Sequence, residues 1–372
     1  MKKILEAFGE PILYGGQEAF VFRTIENMNK KGLKFDFLTP YYADNPDYIS
    51  FIKSLNSTLY SFNLPFNVGK NRFNVVNAYK KILLDNQYDV VHINSGSISI
   101  LALFTLYAKK AGVKKVIVHS HMSGKNKNVK HEVIKKIYAP IFSKYADVLV
   151  APTKKAAYWQ FSKKIFNKKG RILKNGINIQ QYAYNIGTRE HYRNKLNISD
   201  HEILIGHVGR LSPEKNQIFL IKLLSYFIKN NTKAKLLLIG AGPQEKSIRM
   251  SIKQNRLEKY VQLIGNVDNV EDYLQAMDLF IFPSEYEGLG IASIEAQDAG
   301  LPVLASTNVP LDIKVTDNVM FLDLNLSLRE WYKQSLKLLS RKYDRAENTN
   351  FLKKQGYDIR NTAEKLKKIY LG

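Results

Sequence analysis

Two glutamates, Glu287 and Glu295, are separated by seven residues that include Gly288-Leu289-Gly290. The glycines break regular structure, so Glu287 falls in a loop. Glu295 enters a helix that starts near Ile291 and ends at Gly300, ahead of Pro302. Carboxylates accept hydrogen bonds from sugar hydroxyls, and the amides of Gly288, Leu289 and Gly290 can receive phosphate or growing negative charge. Upstream, Val208-Gly209-Arg210-Leu211-Ser212-Pro213-Glu214-Lys215-Asn216 delivers Arg210 at a strand end and Lys215 at the start of the next helix. A guanidinium fork and an ammonium point charge beside a helix N-terminus suit a diphosphate. Read as an exposed phosphate ligand, Lys215 should add little to stability. Near the N-terminus, Tyr14-Gly15-Gly16-Gln17-Glu18 places two glycines at a strand-to-helix turn, where backbone can approach a phosphate.

Each group also has a plainer reading. The glycine pair serves a tight turn without a ligand, the two cations can be solvated, and either glutamate can belong to a solvated acidic loop. His119 and His121, at the end of a strand, are equally served by a packed, hydrogen-bonded environment, and His92 reads as structural.

These residues need a frame to hold them. Short apolar, β-branched runs alternate with helix-period segments in two successive blocks, the βαβ pattern of parallel sheets covered on both faces. The first block predicts strands at Ile4–Phe8, Leu33–Thr39, Val90–Asn94, Val116–His119, Val148–Ala151 and Ile172–Lys174. The second predicts Ile203–Val208, Lys235–Ile239, Val261–Ile264, Leu279–Phe282, Val303–Ser306 and Val319–Leu322. Val21, Ile25 and Met28 give the first helix an apolar stripe between Gly16 and Gly32. The polar stretch Asn178 to Asp200 reads as the inter-domain connection. The expected organisation is an N-terminal domain over 1–178, a C-terminal domain over 179–356, and a last helix over 357–372 that packs back onto the first domain. The fold class is α/β, two Rossmann-like doubly wound parallel sheets facing a cleft, with ligands beyond the carboxyl ends of the strands.

Composition narrows the function. A chain of 372 residues accommodates two domains, and 45% hydrophobic with 24% charged residues is that of a globular protein. The absence of cysteine excludes disulfides and thiolate metal sites and fits a cytoplasmic setting. No apolar run approaches the length of a membrane span, and the N-terminus lacks the signature of a signal peptide. The net charge of +23 is concentrated: Leu101 to Asn175 holds 18 Lys and Arg against Glu132 and Asp147. Such a patch draws an anionic membrane surface or substrate, or is a set of solvated lysine-rich faces. No nucleic-acid-binding signature accompanies it, so nucleic acid is not an expected partner. From Lys125 to Trp159 lysines interleave with Tyr138, Phe142, Tyr145, Tyr158 and Trp159, a composition suited to a membrane interface.

Taken in order, Gly15-Gly16, Lys174-Asn175-Gly176-Ile177-Asn178, Gly209-Arg210 with Lys215-Asn216, Gly240-Ala241-Gly242-Pro243, Pro283-Ser284 and the Glu287/Glu295 pair resemble the retaining glycosyltransferases of family 4. Phe35-Asp36-Phe37, His119-Ser120-His121, Asp317 to Leu322 and Trp331 resemble the branch that assembles bacterial exopolysaccharide and capsule. The resemblance implies a GT-B fold and retaining transfer from a nucleotide-diphosphate sugar, with UDP the expected nucleotide, to a lipid-linked saccharide at the inner face of the membrane. It implies that Arg210 and Lys215 hold the pyrophosphate, Glu287 the donor sugar and Glu295 the ribose, that Gly16 offers an amide to the phosphates, and that His121 approaches the sugar or its phosphate. No Asp-x-Asp occurs, so neither a metal nor a cofactor is expected. Thr307 to Asp312 departs from the family pattern, without its glycine-rich turn and with Asp312 in place of a glutamate. Other readings are transfer to diacylglycerol or protein, a GT-B-shaped sugar-nucleotide epimerase or hydrolase, and a basic scaffold for membranes or nucleic acid.

Overall fold

A computed structural model describes residues 1–67, 72–122 and 129–372. The chain forms two units, Met1–Gly176 with Ile359–Gly372, and Ile177–Asp358. In the first, seven parallel strands are β1 Lys2–Phe8, β2 Leu33–Thr39, β3 Leu59–Ser61, β4 Val90–Ser95, β5 Lys115–Ser120, β6 Val148–Ala151 and β7 Gly170–Ile172, in the order β3-β2-β1-β4-β5-β6-β7. β3 is not foreseen because it spans only Leu59-Tyr60-Ser61, too short for a pattern. β7 lies two residues earlier than expected, since Leu149, Val150 and Ala151 pair with Gly170, Arg171 and Ile172.

Side chains alternate across each strand, so both faces of this sheet are apolar. Leu5 and Ala7 of β1 pack with Tyr79 and Phe104 on one face. Ile4 and Phe8 pack on the other with Phe20, Val21 and Ile25 of the Gly16–Glu26 helix and with Leu366 and Tyr370 of the Ile359–Leu371 helix. Glu6 shares that second face, a buried polar side chain among hydrophobes. The last helix inserts Ile359, Ala363, Leu366 and Tyr370 at helical spacing. The crossing is tight at Gly176, where a Cβ would stand 2.6 Å from the Ile359 Cα.

The second unit has six parallel strands, β8 Ile203–Val208, β9 Ala234–Ile239, β10 Val261–Gly265, β11 Leu279–Phe282, β12 Val303–Ser306 and β13 Val319–Leu322, in the order β10-β9-β8-β11-β12-β13. The expected connection over 178–200 is instead structured. Helices Ile179–Tyr182 and Ile186–Lys195 lie there, and Asn185 caps the second by accepting from Thr188 N–H at 2.9 Å. Tyr182, Tyr192, Leu196 and Ile198 join the core, while Arg189 and Arg193 bind Asp278 at 2.5 and 2.9 Å. Polar composition hid this element because its apolar side chains occupy one stripe and its arginines are neutralised in place.

In both sheets chain order reverses between two neighbouring strands, β1 and β4 in one unit and β8 and β11 in the other. Loops leaving such a pair diverge and open a crevice at the strand ends. Gly15 lies in the loop after β1, Arg210 and Lys215 in the loop and turn after β8, and Glu287 to Gly290 in the loop after β11.

Candidate active site

In the second unit, the loops after β8 and β11 meet. Gly209 N–H donates to Ile239 O at 3.0 Å, and Leu211 N–H to Ala241 O at 3.0 Å, so the 209–211 backbone lies on the 240–242 turn. A Cβ at Gly240 would fall 2.2 Å from Gly209 O, which is why glycine occupies that turn. Gln217, buried, donates to Arg210 O at 2.9 Å and fixes the loop from beneath. His207 below it bonds Ile281 O through Nδ1, and burial pushes its pKa down to about 4, so the imidazole is neutral. Arg210 itself is exposed and has no ion pair among the described residues.

The short Pro213–Lys215 turn brings Lys215 back over the sheet, where Nζ meets Glu287 Oε1 at 2.5 Å and rides 5.3 Å from the Phe282 ring. Two further bonds join the loops: Asn216 Nδ2 donates to Pro283 O at 3.3 Å, and Glu285 N–H to Glu214 O at 2.8 Å. The side chains of Lys215 and Glu287 are only 20% and 10% exposed. The expectation that Lys215 adds little to stability is therefore corrected, because removing it leaves a largely desolvated carboxylate without its cation.

Gly290 adopts φ +88°, and a Cβ there would strike the Phe282 ring at 2.7 Å, so the position requires glycine. It opens the Ile291–Asp298 helix, and Leu289 is buried beside it. Glu295 lies in the second turn, 5% exposed, accepting from the Tyr182 hydroxyl at 3.0 Å. Thus Lys215 and Glu287 touch, Gly288 to Gly290 bridge them to the helix, and Glu295 sits behind on that helix. Arg210 shares the loop of Lys215. Tyr182 was missed by sequence reasoning because it lies in the segment taken for a connection. A separate hollow of about 360 Å³ is lined by Ile186, Arg189, Glu190, Arg193, Asn194 and Asp200 and contains none of these residues.

Gly15, Gly16 and His121 belong to the first unit. A Cβ at Gly16 would meet nothing within 4 Å, so that side of the turn is open. At Gly15 it would stand 2.3 Å from Glu18 Oε2, because the Glu18 carboxylate folds back onto the backbone N–H groups of Gly15 and of Glu18 itself. The acceptor at this helix N-terminus is thus the chain's own Glu18 carboxyl. Burial, with the nearby Glu10 charge, pushes Glu18 up to about 7. Glu10 also rises through burial, while its carboxylate accepts from Ser95 Oγ at 2.8 Å and Gly96 N–H at 3.1 Å and so ties the loop after β1 to that after β4.

His121 directly follows β5 and joins a buried polar cluster. Its Nε2 meets Asn94 Oδ1 at 2.9 Å, and its ring stacks on His119 at 4.0 Å. His119 Nδ1 meets His92 Nε2 at 3.2 Å, and His92 Nδ1 meets Glu6 at 3.0 Å. Burial, then repulsion from His92, pushes His121 down to about 3, and burial holds His119 well below the usual histidine range. Both are neutral at working pH. The histidines are thus one connected array, and Glu6, Asn94 and Tyr370 are members that sequence reasoning missed. One signal was available: Glu6 is a lone acid inside an apolar strand, and it is the register partner of His92.

The basic segment also differs from expectation. Residues 123–128, including Lys125 and Lys127, lie outside the described residues. In the Val129–Tyr145 helix Phe142 is buried in the core, and Tyr138 and Tyr158 pack against that core. Trp159 stacks on His131 at 4.0 Å. The exposed apolar row is instead Val129, Val133 and Ile137, spaced by one turn each, with exposed Lys130 and Lys136 beside it. Composition located the patch, but helical phase decides which residues leave it. Among the described residues no helix is long and apolar enough to cross a membrane.

Two family profiles match the chain in succession, "Glycosyltransferase Family 4" over residues 14–181 and "Glycosyl transferases group 1" over 188–320. The chain is 28% identical to the capsular polysaccharide biosynthesis glycosyltransferase CapH of Staphylococcus aureus, covering 100% of this chain and 99% of that one. It is 26% identical to an Escherichia coli UDP-Gal:α-D-GlcNAc-diphosphoundecaprenol α-1,3-galactosyltransferase, covering 64% of this chain and 62% of that one. Among solved structures it is similar to Anabaena HepE in complex with UDP and glucose, with a TM-score of 0.79 at 16% identity over 99% of both chains.

Proposed function

Because the chain belongs to the family 4 glycosyltransferases, of GT-B fold, and is similar along its length to a glycosyltransferase of capsular polysaccharide biosynthesis, we propose that it transfers a sugar, with retention, from a UDP-sugar to a lipid-linked saccharide. The observation that carries this reading is the meeting of Lys215 and Glu287 at the switch point of the second sheet, with exposed Arg210 in the same loop and in no ion pair among the described residues. In the proposed reaction the bond between the anomeric carbon and the β-phosphate oxygen breaks, and the acceptor hydroxyl oxygen bonds to that carbon. The hydroxyl proton leaves with the diphosphate. Arg210 and Lys215 stabilise the charge that grows on the diphosphate, the role a divalent cation plays elsewhere. Glu287 gives up part of its contact with Lys215 to bind a donor-sugar hydroxyl, and Glu295, already oriented by Tyr182, receives the ribose hydroxyls. A UDP donor and a diphospholipid acceptor are supported by the names of the E. coli relative and of the HepE complex.

The test is direct. Purified protein is melted with UDP, GDP, ADP and CMP, then incubated in a chelator with radiolabelled UDP-sugars and bacterial membranes. Stabilisation by UDP and label in a diphospholipid support the proposal; label in diacylglycerol moves the acceptor. Release of free sugar without acceptor would instead indicate a hydrolase, and indifference to every nucleotide overturns the reading.

We also propose peripheral attachment at the inner membrane face through the row Val129, Val133 and Ile137, whose flanking lysines complement anionic headgroups. Sedimentation with anionic but not neutral vesicles at low salt supports it, and failure to sediment with either overturns it.

A further inference from the structure

Glu6 and Asn94 act on nothing in the scheme above, yet they are fully buried polar groups at the centre of the first unit. Their hydrogen bonds have a direction that can be followed atom by atom. The Glu6 carboxylate accepts from the Tyr370 hydroxyl at 2.6 Å, from His92 Nδ1 at 3.0 Å and from Asn94 Nδ2 at 3.0 Å. The same Asn94 Nδ2 donates to His92 O at 3.3 Å. With two acceptors on its amide nitrogen, Asn94 must turn its carbonyl oxygen towards His121. That oxygen can only accept, so His121 Nε2 carries the ring proton. The ring is neutral, which leaves Nδ1 a bare lone pair, buried and without a partner among the described residues. An unmet acceptor of this kind costs free energy unless a ligand meets it.

We propose that Asn94, held by Glu6, is a positioning residue that locks His121 in the Nε2–H tautomer, so that Nδ1 accepts a hydrogen bond from a sugar hydroxyl presented to the first unit. This deepens the function proposed above and rests on it for the identity of the ligand. It also chooses between the two partners the sequence left open for His121: a phosphate oxygen, itself only an acceptor, finds no donor at this nitrogen, whereas a hydroxyl does. The last helix completes the device by supplying Tyr370, which donates to Glu6 Oε1, while Oε2 accepts from Asn94 Nδ2 and His92 Nδ1.

The test has two arms. In full-length protein labelled with 15N-histidine, with His121 assigned by loss of its signals in His121→Ala, wild type is expected to show the neutral Nε2–H tautomer from pH 5 to 8. Asn94→Ala is expected to shift it towards Nδ1–H. A wild-type His121 that is Nδ1–H or an imidazolium in that range overturns the proposal whether or not the variant folds, and so does an unchanged tautomer in a folded Asn94→Ala. In the kinetic arm, Asn94→Ala lowers kcat about tenfold, one hydrogen bond's worth, but costs nothing further in a His121→Ala background. Losses that multiply in the double variant show that Asn94 acts independently of His121, which overturns the proposal. If wild type transfers no sugar, the functional reading fails while the spectra still decide the tautomer.

Discussion

Replacing Lys215 by alanine tests the ion pair on which the second unit's site is built. The substitution leaves the Glu287 carboxylate, 10% exposed, without its cation. Breaking such a pair from one side costs about 3 kcal/mol, the lower end of the range for buried pairs, because some water still reaches it. Glu287→Ala is milder, about 1 kcal/mol, since the freed lysine can swing its flexible stem towards solvent. The double variant removes both charges together with their desolvation, so it is expected to cost about 1 kcal/mol rather than the sum, a coupling of about 3 kcal/mol. Urea unfolding of wild type, both single variants and the double measures all four corners. Lys215→Ala should lower the melting temperature of this unit by about 6 to 12 °C. Additive losses, or a Lys215→Ala effect within 0.5 kcal/mol of zero, would refute the reasoning and return Lys215 to the solvated cation its sequence context suggests. Transfer activity, measured where each variant is still folded, should be lost in Lys215→Ala beyond any fall in folded fraction.

Glu287→Gln keeps shape but releases the lysine charge, so UDP should bind more tightly in calorimetry while sugar transfer falls; weaker UDP binding would separate Lys215 from the phosphates. Tyr182→Phe leaves buried Glu295 short of one donor and should destabilise the second unit by about 1 to 3 kcal/mol in the same urea assay, with no loss expected in Tyr182→Phe/Glu295→Leu relative to Glu295→Leu alone. Glu18 has a folded pKa near 7, raised from 4.5 by burial. The folded state therefore holds a proton that the unfolded state has released, and stability falls as pH rises from about 4.5 to 7 and then levels. Glu18→Gln removes that term, so its advantage over wild type in melting temperature should grow across this window; a constant difference would refute the shift. Val133→Asp/Ile137→Asp should abolish sedimentation with anionic vesicles and leave UDP binding unchanged, and retained sedimentation would move the membrane contact elsewhere.

What the sequence determined by itself is the architecture and the inventory of the site. Apolar runs long enough for a strand, such as Leu33–Thr39, Val148–Ala151 and Leu279–Phe282, were legible to their ends, because burial on both faces of a parallel sheet leaves no other use for them. The glycines around Glu287 marked its loop for the same local reason, that few residues tolerate the backbone found at Gly290. What only the tertiary structure decided is which groups meet. Lys215 and Glu287 are 72 positions apart, Tyr182 and Glu295 are 113 apart, and Tyr370 and Glu6 are 364 apart. No periodicity records such pairs, since they arise from strand order at a switch point and from a last helix returning to the first sheet. The tautomer we propose for His121 belongs to the same class. It is set by a carboxylate on a neighbouring strand acting through an asparagine, and hydrogen-bond direction exists only once those strands lie side by side.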